Sequence, residues 1–168
     1  MAKALGSNVK KYALIAAVVV VVAVVLFYFI IISPIFVAKP NIAKPELGTN
    51  IGINNINWLA NEVGAYKLHS DISGQPPTFQ FILSDTNQTF DIIVTGNIPS
   101  TLETVGVTNP DLKITTDSAT FRELYDAADF NSKIKELNDA GRVSIELIKT
   151  TSELALKGYK GVYDELGF

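Results

Sequence analysis

The chain contains no cysteine. Disulfide stapling, thiol catalysis and thiolate metal sites are excluded, and the absence fits either side of a membrane. There is one histidine, His69. It stands before Ser70-Asp71, but three adjacent residues in a turn or strand cannot converge on a substrate atom as a catalytic triad must. A histidine-based zinc site lacks its other ligands. The net charge is −3, and no basic run follows residue 11, which argues against nucleic acid as a partner. The glycine-rich loops that cradle nucleotide phosphates are missing, and so is the alternating acidic loop of a calcium site. Glu123, Asp126, Asp129, Glu136 and Asp139 fall opposite the apolar stripes of their helices, where carboxylates are solvated surface. The sequence names no catalytic chemistry, cofactor or metal, and a non-enzymatic protein is expected.

One thing is in excess. Residues 12–37 carry no Asp, Glu, Lys or Arg. A helix from Tyr12 to Ile32 would rise about 30 Å, the thickness of a bilayer core. The run is longer than the ~7–15 residues of a signal peptide's apolar region, and no small-x-small site follows it. The reading is therefore a single transmembrane helix over 12–33, a retained signal-anchor, ended by Ser33-Pro34. Lys3, Lys10 and Lys11 precede it, whereas Lys39 and Lys44 follow. The positive-inside rule then places residues 1–11 in the cytoplasm and the C-terminal domain outside the cell membrane. There, Asn87-Gln88-Thr89 makes Asn87 a candidate glycosylation acceptor. Pro34, Pro40 and Pro45 mark residues 34–50 as a semi-extended linker, which leaves 51–168 as a soluble domain.

Periodicity organises that domain. Ile53, Ile56, Leu59, Ala60 and Val63 recur at helical spacing, so a helix is predicted over about 54–65, ending at Gly64. Phe79, Phe81 and Leu83 alternate, as do Phe90, Ile92 and Val94. With the polar Ser84–Gln88 between them they predict an antiparallel hairpin. Leu102–Val107 and Leu112–Thr116 are expected as two more strands. Helical spacing then returns. Ser118 is expected to cap a helix carrying Phe121, Leu124 and Tyr125. Asp129 caps another carrying Ile134 and Leu137, which Gly141 ends. Val143, Ile145 and Leu147 read as a last strand, and Thr150 with Glu153 forms a capping box for a final helix bearing Tyr159, Val162 and Leu166. No repeated strand–helix unit occurs. The predicted fold class is α+β: a transmembrane helix followed by a small domain with a largely antiparallel sheet of about five strands covered by helices.

These patterns resemble a known family. Residues 78–166 are similar to the sterol-carrier-protein, type-two-like lipid-binding domain. Phe79-Gln-Phe-Ile-Leu-Ser-Asp85 and Phe90-Asp-Ile-Ile-Val-Thr-Gly96 resemble its opening hairpin. Pro110-Asp-Leu-Lys-Ile-Thr-Thr-Asp-Ser-Ala-Thr-Phe-Arg-Glu-Leu124 resembles its strand and following helix. Gly141-Arg-Val-Ser-Ile-Glu-Leu147 leading to Leu154-Ala-Leu156 resembles its last strand and C-terminal helix. The resemblance implies a hydrophobic tunnel that binds sterols, acyl chains or other lipids without catalysis. With the alternation pattern it nominates Phe79, Phe81, Ile92, Val94, Phe121, Leu124, Ile134, Leu137 and Tyr159 as cavity lining. The expected partners are the bilayer, a bound lipid or acyl chain, and membrane-protein complex subunits. The rival reading is an accessory structural subunit of a membrane or envelope complex, its core filled and without ligand.

Overall fold

The structure, a computed structural model, describes residues 12, 15–25, 37–102 and 106–166. The expected transmembrane helix is corrected by it. Among the described residues, no helix is long and apolar enough to cross a membrane. Residues 15–25 are helical and exposed. Residues 13–14 and 26–33 of the expected span lie outside the described residues.

The rest is an α+β domain with a five-stranded sheet in the order β3-β2-β1-β4-β5. Helix α1 (Ile53–Glu62) comes first, followed by a 3₁₀ turn at Ala65–Lys67. Its opening is fixed by the Asn55 side chain, whose Oδ1 accepts from Gly52 N–H at 3.1 Å. Strands β1 (Thr78–Leu83) and β2 (Gln88–Thr95) form the expected antiparallel hairpin, with Phe79 opposite Ile92 and Phe81 opposite Phe90.

The third strand differs from expectation. β3 is Ile98–Leu102, not Leu102–Val107. The cause is local. Gly96 and Asn97 have φ of 57° and 65°, the left-handed pair of a two-residue hairpin turn, so β2 returns at once. Pro99 is tolerated because β3 is an edge strand. Of the expected strand, residues 103–105 lie outside the described residues. Strand β4 (Leu112–Thr116) then pairs with β1 in parallel, and β5 (Ser144–Leu147) pairs antiparallel to β4.

Two helices separate β4 from β5. α2 (Ser118–Tyr125) is capped by Asp117, one residue before the expected cap; its carboxylate accepts from Thr120 N–H at 2.7 Å. α3 (Phe130–Asp139) has the expected Asp129 cap. Hydrogen bonds to these caps hold both aspartates below the usual carboxylate range, the Thr120 N–H leading for Asp117 and the Ser132 hydroxyl for Asp129. After β5, the Thr150–Glu153 capping box opens α4 (Thr151–Leu156). The single final helix expected there is two, because Gly158 at φ +87° breaks it before α5 (Tyr159–Leu166).

Alternation puts Phe79, Phe81, Leu83, Phe90, Ile92, Val94 and Leu112 on one sheet face, all buried against the helices. The opposite face is closed locally by polar groups. Gln80 Nε2 donates to Asp91 Oδ1 at 2.9 Å, and Asp91 Oδ2 accepts from the backbone N–H groups of Gly106 and Val107. The stretch 37–50 has no regular secondary structure, yet it is fastened along α1 and α2 by the hydrogen bonds described below.

Candidate apolar binding site

Two adjoining apolar cavities lie between the helix-facing side of the sheet and the helices. The outer one, ≈ 60 Å³, sits under α5, walled by Leu112, Ile114 and Ile145 from the sheet and by Tyr159, Val162, Tyr163 and Leu166 from the helix. It is partly open at its rim, where Ile145 and Tyr163 are only half-buried. The inner one, ≈ 30 Å³, lies between α1 and α2, walled by Ile56, Leu59, Ala60, Phe121 and Leu124. Val63, Phe79, Ile114 and Ile134 line both, so the two voids meet at those four side chains. The sizes are modest. Pockets holding drug-sized ligands run to about 300–1,000 Å³, so these voids as they stand admit only a few methylene groups.

The structure sorts the nominated residues. Phe79 and Ile134 line both cavities, and Tyr159 lines the outer one. Phe81, Ile92, Phe121 and Leu124 line the inner one. Val94 and Leu137 are buried core that touches neither. Leu112, Ile114, Val162 and Leu166 were not nominated. Strand alternation and the α5 stripe carried the signal for them. Asn87 is exposed at the β1–β2 turn with φ 54°. His69 lies against Gly158, its Nδ1 3.1 Å from the Ser70 carbonyl. Among the described residues, no three metal-ligating side chains come together.

A polar pin borders the outer cavity. Asp111 and Lys157 form an ion pair at 2.8 Å with side chains almost wholly buried. The Asp111 carboxylate also accepts from Thr78 N–H at 2.8 Å and from the Tyr159 hydroxyl at 3.1 Å, while Lys157 donates to Pro76 O at 3.2 Å. Both members of the pair therefore have partners beyond each other. Burial, and then the adjacent Asp111 charge, push the Tyr159 hydroxyl well above its ordinary pKa. Tyr159 thus presents its ring to the cavity and its hydroxyl to the pin. On the other side of the pin is an open polar cleft of ≈ 350 Å³, edged by Gln75, Thr108, Asn109 and Lys149. Nothing in the local sequence signals this cluster, because Asp111 and Lys157 stand 46 positions apart.

No family model and no curated protein matches the chain. Among solved structures, one described as UbiJ-SCP2 ubiquinone synthesis protein is similar at a TM-score of 0.40 and 9% identity, over 67% of this chain and 92% of that one. The stereoselective inverting sec-alkylsulfatase Pisa1 from Pseudomonas sp. is similar at a TM-score of 0.36 and 11% identity, over 67% of this chain. The match spans 16% of the sulfatase's length.

Proposed function

We propose that this is a non-enzymatic lipid-binding domain, which holds part of a hydrophobic molecule between its sheet and α5. The observation that carries the reading is the pair of adjoining apolar voids. Interiors close-pack with few voids larger than a water molecule, so an apolar gap of ≈ 60 Å³ open at one rim is the place where this domain can admit an apolar group. The pattern resemblance to the sterol-carrier family supports the same reading. A whole acyl chain requires the cavity to widen, and α5 is the wall joined to the rest by a glycine break.

The small volume favours a second reading, an accessory subunit whose core is filled and whose surface does the work. One experiment separates them. Native mass spectrometry of the purified chain, with titration of a fluorescent acyl probe, should show co-purified lipid or saturable uptake. Absence of both sinks the first reading. Val162→Phe adds bulk to the outer cavity. On the lipid-binding reading it lowers probe affinity at least tenfold, while stability changes by no more than about 1–3 kcal/mol.

A further inference from the structure

We propose that the segment 37–50 is a releasable strap over the aromatic stack that backs the inner cavity, so that access to this cavity is controlled from the N-terminal side of the domain. The strap runs over the seam between α1 and α2, and its fastenings are of one kind. Asn61 Nδ2 donates to Pro40 O at 3.1 Å, and the Tyr125 hydroxyl donates to Pro45 O at 2.7 Å. Arg122 donates to the carbonyls of Gly48 and Thr49. In the reverse sense, Lys44 Nζ donates to Tyr125 O at 2.6 Å and lies 5.0 Å and 4.6 Å from the ring centres of Trp58 and Tyr125.

None of residues 37–50 is buried. The strap is held by directional polar bonds, a cation–π contact and the half-buried Leu47 packed against the core; of its donors, Asn61 and Tyr125 are themselves buried. Each bond of this type is worth only about 0.5–1.5 kcal/mol net. Segments built this way open locally, far below the free energy of global unfolding. Beneath the strap, Trp58 meets Tyr125 edge-on at 4.6 Å, and Tyr125 stacks on Phe121 at 5.6 Å. Phe121 is a wall of the inner cavity. Lifting the strap removes the acceptor of the Tyr125 hydroxyl and the cation over its ring, which loosens the aromatic stack packed behind Phe121. The end of the strap is tied at Lys39–Glu62, 2.6 Å, so whatever the preceding chain engages pulls on the first fastening.

The identity of what enters rests on the lipid-binding reading; the motion does not. Because the chain has no cysteine, introduced thiols report without background. Three single variants of the full chain serve as probes: Leu47→Cys on the strap, Ala60→Cys in the inner cavity and Ala65→Cys in the outer one. Each is labelled with a maleimide, with and without the loosening pair Lys44→Gln and Arg122→Gln. Loosening should raise labelling of the Leu47→Cys and Ala60→Cys variants at least tenfold and leave the Ala65→Cys variant unchanged. Lys44→Arg, which keeps a cation over both rings, should keep labelling slow. Faster labelling at position 47 without any change at position 60 overturns the proposal, and so does an equal rise at all three positions. Selective labelling at position 60 together with no acyl-probe uptake supports the strap while defeating the lipid-binding reading.

Discussion

Two of the polar fastenings of the domain differ in burial. At the Asp111–Lys157 pin, charges taken out of water tie together the approach to β1, the start of β4 and the junction of α4 with α5. At the strap, side chains of α1 and α2, Asn61 and Tyr125 buried and Arg122 half-buried, hold the carbonyls of a segment none of whose residues is buried. The groups are chemically similar, but their energetic roles are opposite. Buried charge cannot be released cheaply, because an unpaired ion has no water to turn to. A carbonyl at the surface exchanges its partner for water at little net cost. The pin therefore marks a fixed point and the strap a movable one.

The sharpest way to break this comparison is at the pin. Asp111→Ala leaves the Lys157 ammonium, the Thr78 N–H and the Tyr159 hydroxyl without their acceptor. It should cost about 3–5 kcal/mol by urea denaturation, whereas Asp111→Leu combined with Lys157→Met should recover much of that loss. A cost under 1 kcal/mol for the single change would make the pin no firmer than the strap. The pin also sets an alkaline limit. The Tyr159 pKa is raised in the fold, so the folded state holds the proton more tightly than the unfolded chain. Its contribution is complete below the unfolded value near 10 and is lost as pH rises toward the folded value. Denaturation midpoints should fall above pH ~10 in the native chain and fall less in Tyr159→Phe.

Next in size is Gly158→Ala. The residue sits at φ +87°, and a Cβ would meet the Lys67 carbonyl at 3.3 Å and the His69 ring at 3.4 Å. A loss of about 1–2 kcal/mol is expected from the left-handed backbone alone. Smallest is Tyr125→Phe, which removes the bond to Pro45 O and the one from Asn55. It should cost about 0.5–1.5 kcal/mol and make Trp58 fluorescence easier to quench with acrylamide. If it costs as much as Asp111→Ala, the strap is integral to the fold and the comparison fails.

Local signals were readable from residues alone. The β1–β2 alternation, the Asp129 cap, the Gly141 stop and the Thr150–Glu153 box all act within a few positions, and each appears where the pattern puts it. The cavity walls were partly readable, since Phe79, Phe121 and Ile134 follow from alternation and helical stripe. Val94 and Leu137 obey the same patterns yet are ordinary core, because periodicity tells which face is buried and not where packing leaves a gap. The β3 boundary was misread because the Gly96-Asn97 turn is shorter than the polar stretch around it. The strap looked like a linker because it has no period at all. Its attachment depends on Tyr125 and Arg122, about 75–80 positions away.

The parallel pairing of β1 with β4 has a consequence for how the chain finds its fold. β1, β2 and β3 are joined by short turns and can zip together from local contacts. β4 must first cross from beyond β3 to the far side of β1, and it brings α2, α3 and β5 with it. The slow event in refolding is then the docking of the second half onto a finished three-stranded meander, since distant pairings pay their loop-closure entropy before any reward. Two separately expressed pieces, cut in the crossover after Leu102, should find one another along the β1–β4 seam, the strap and the pin.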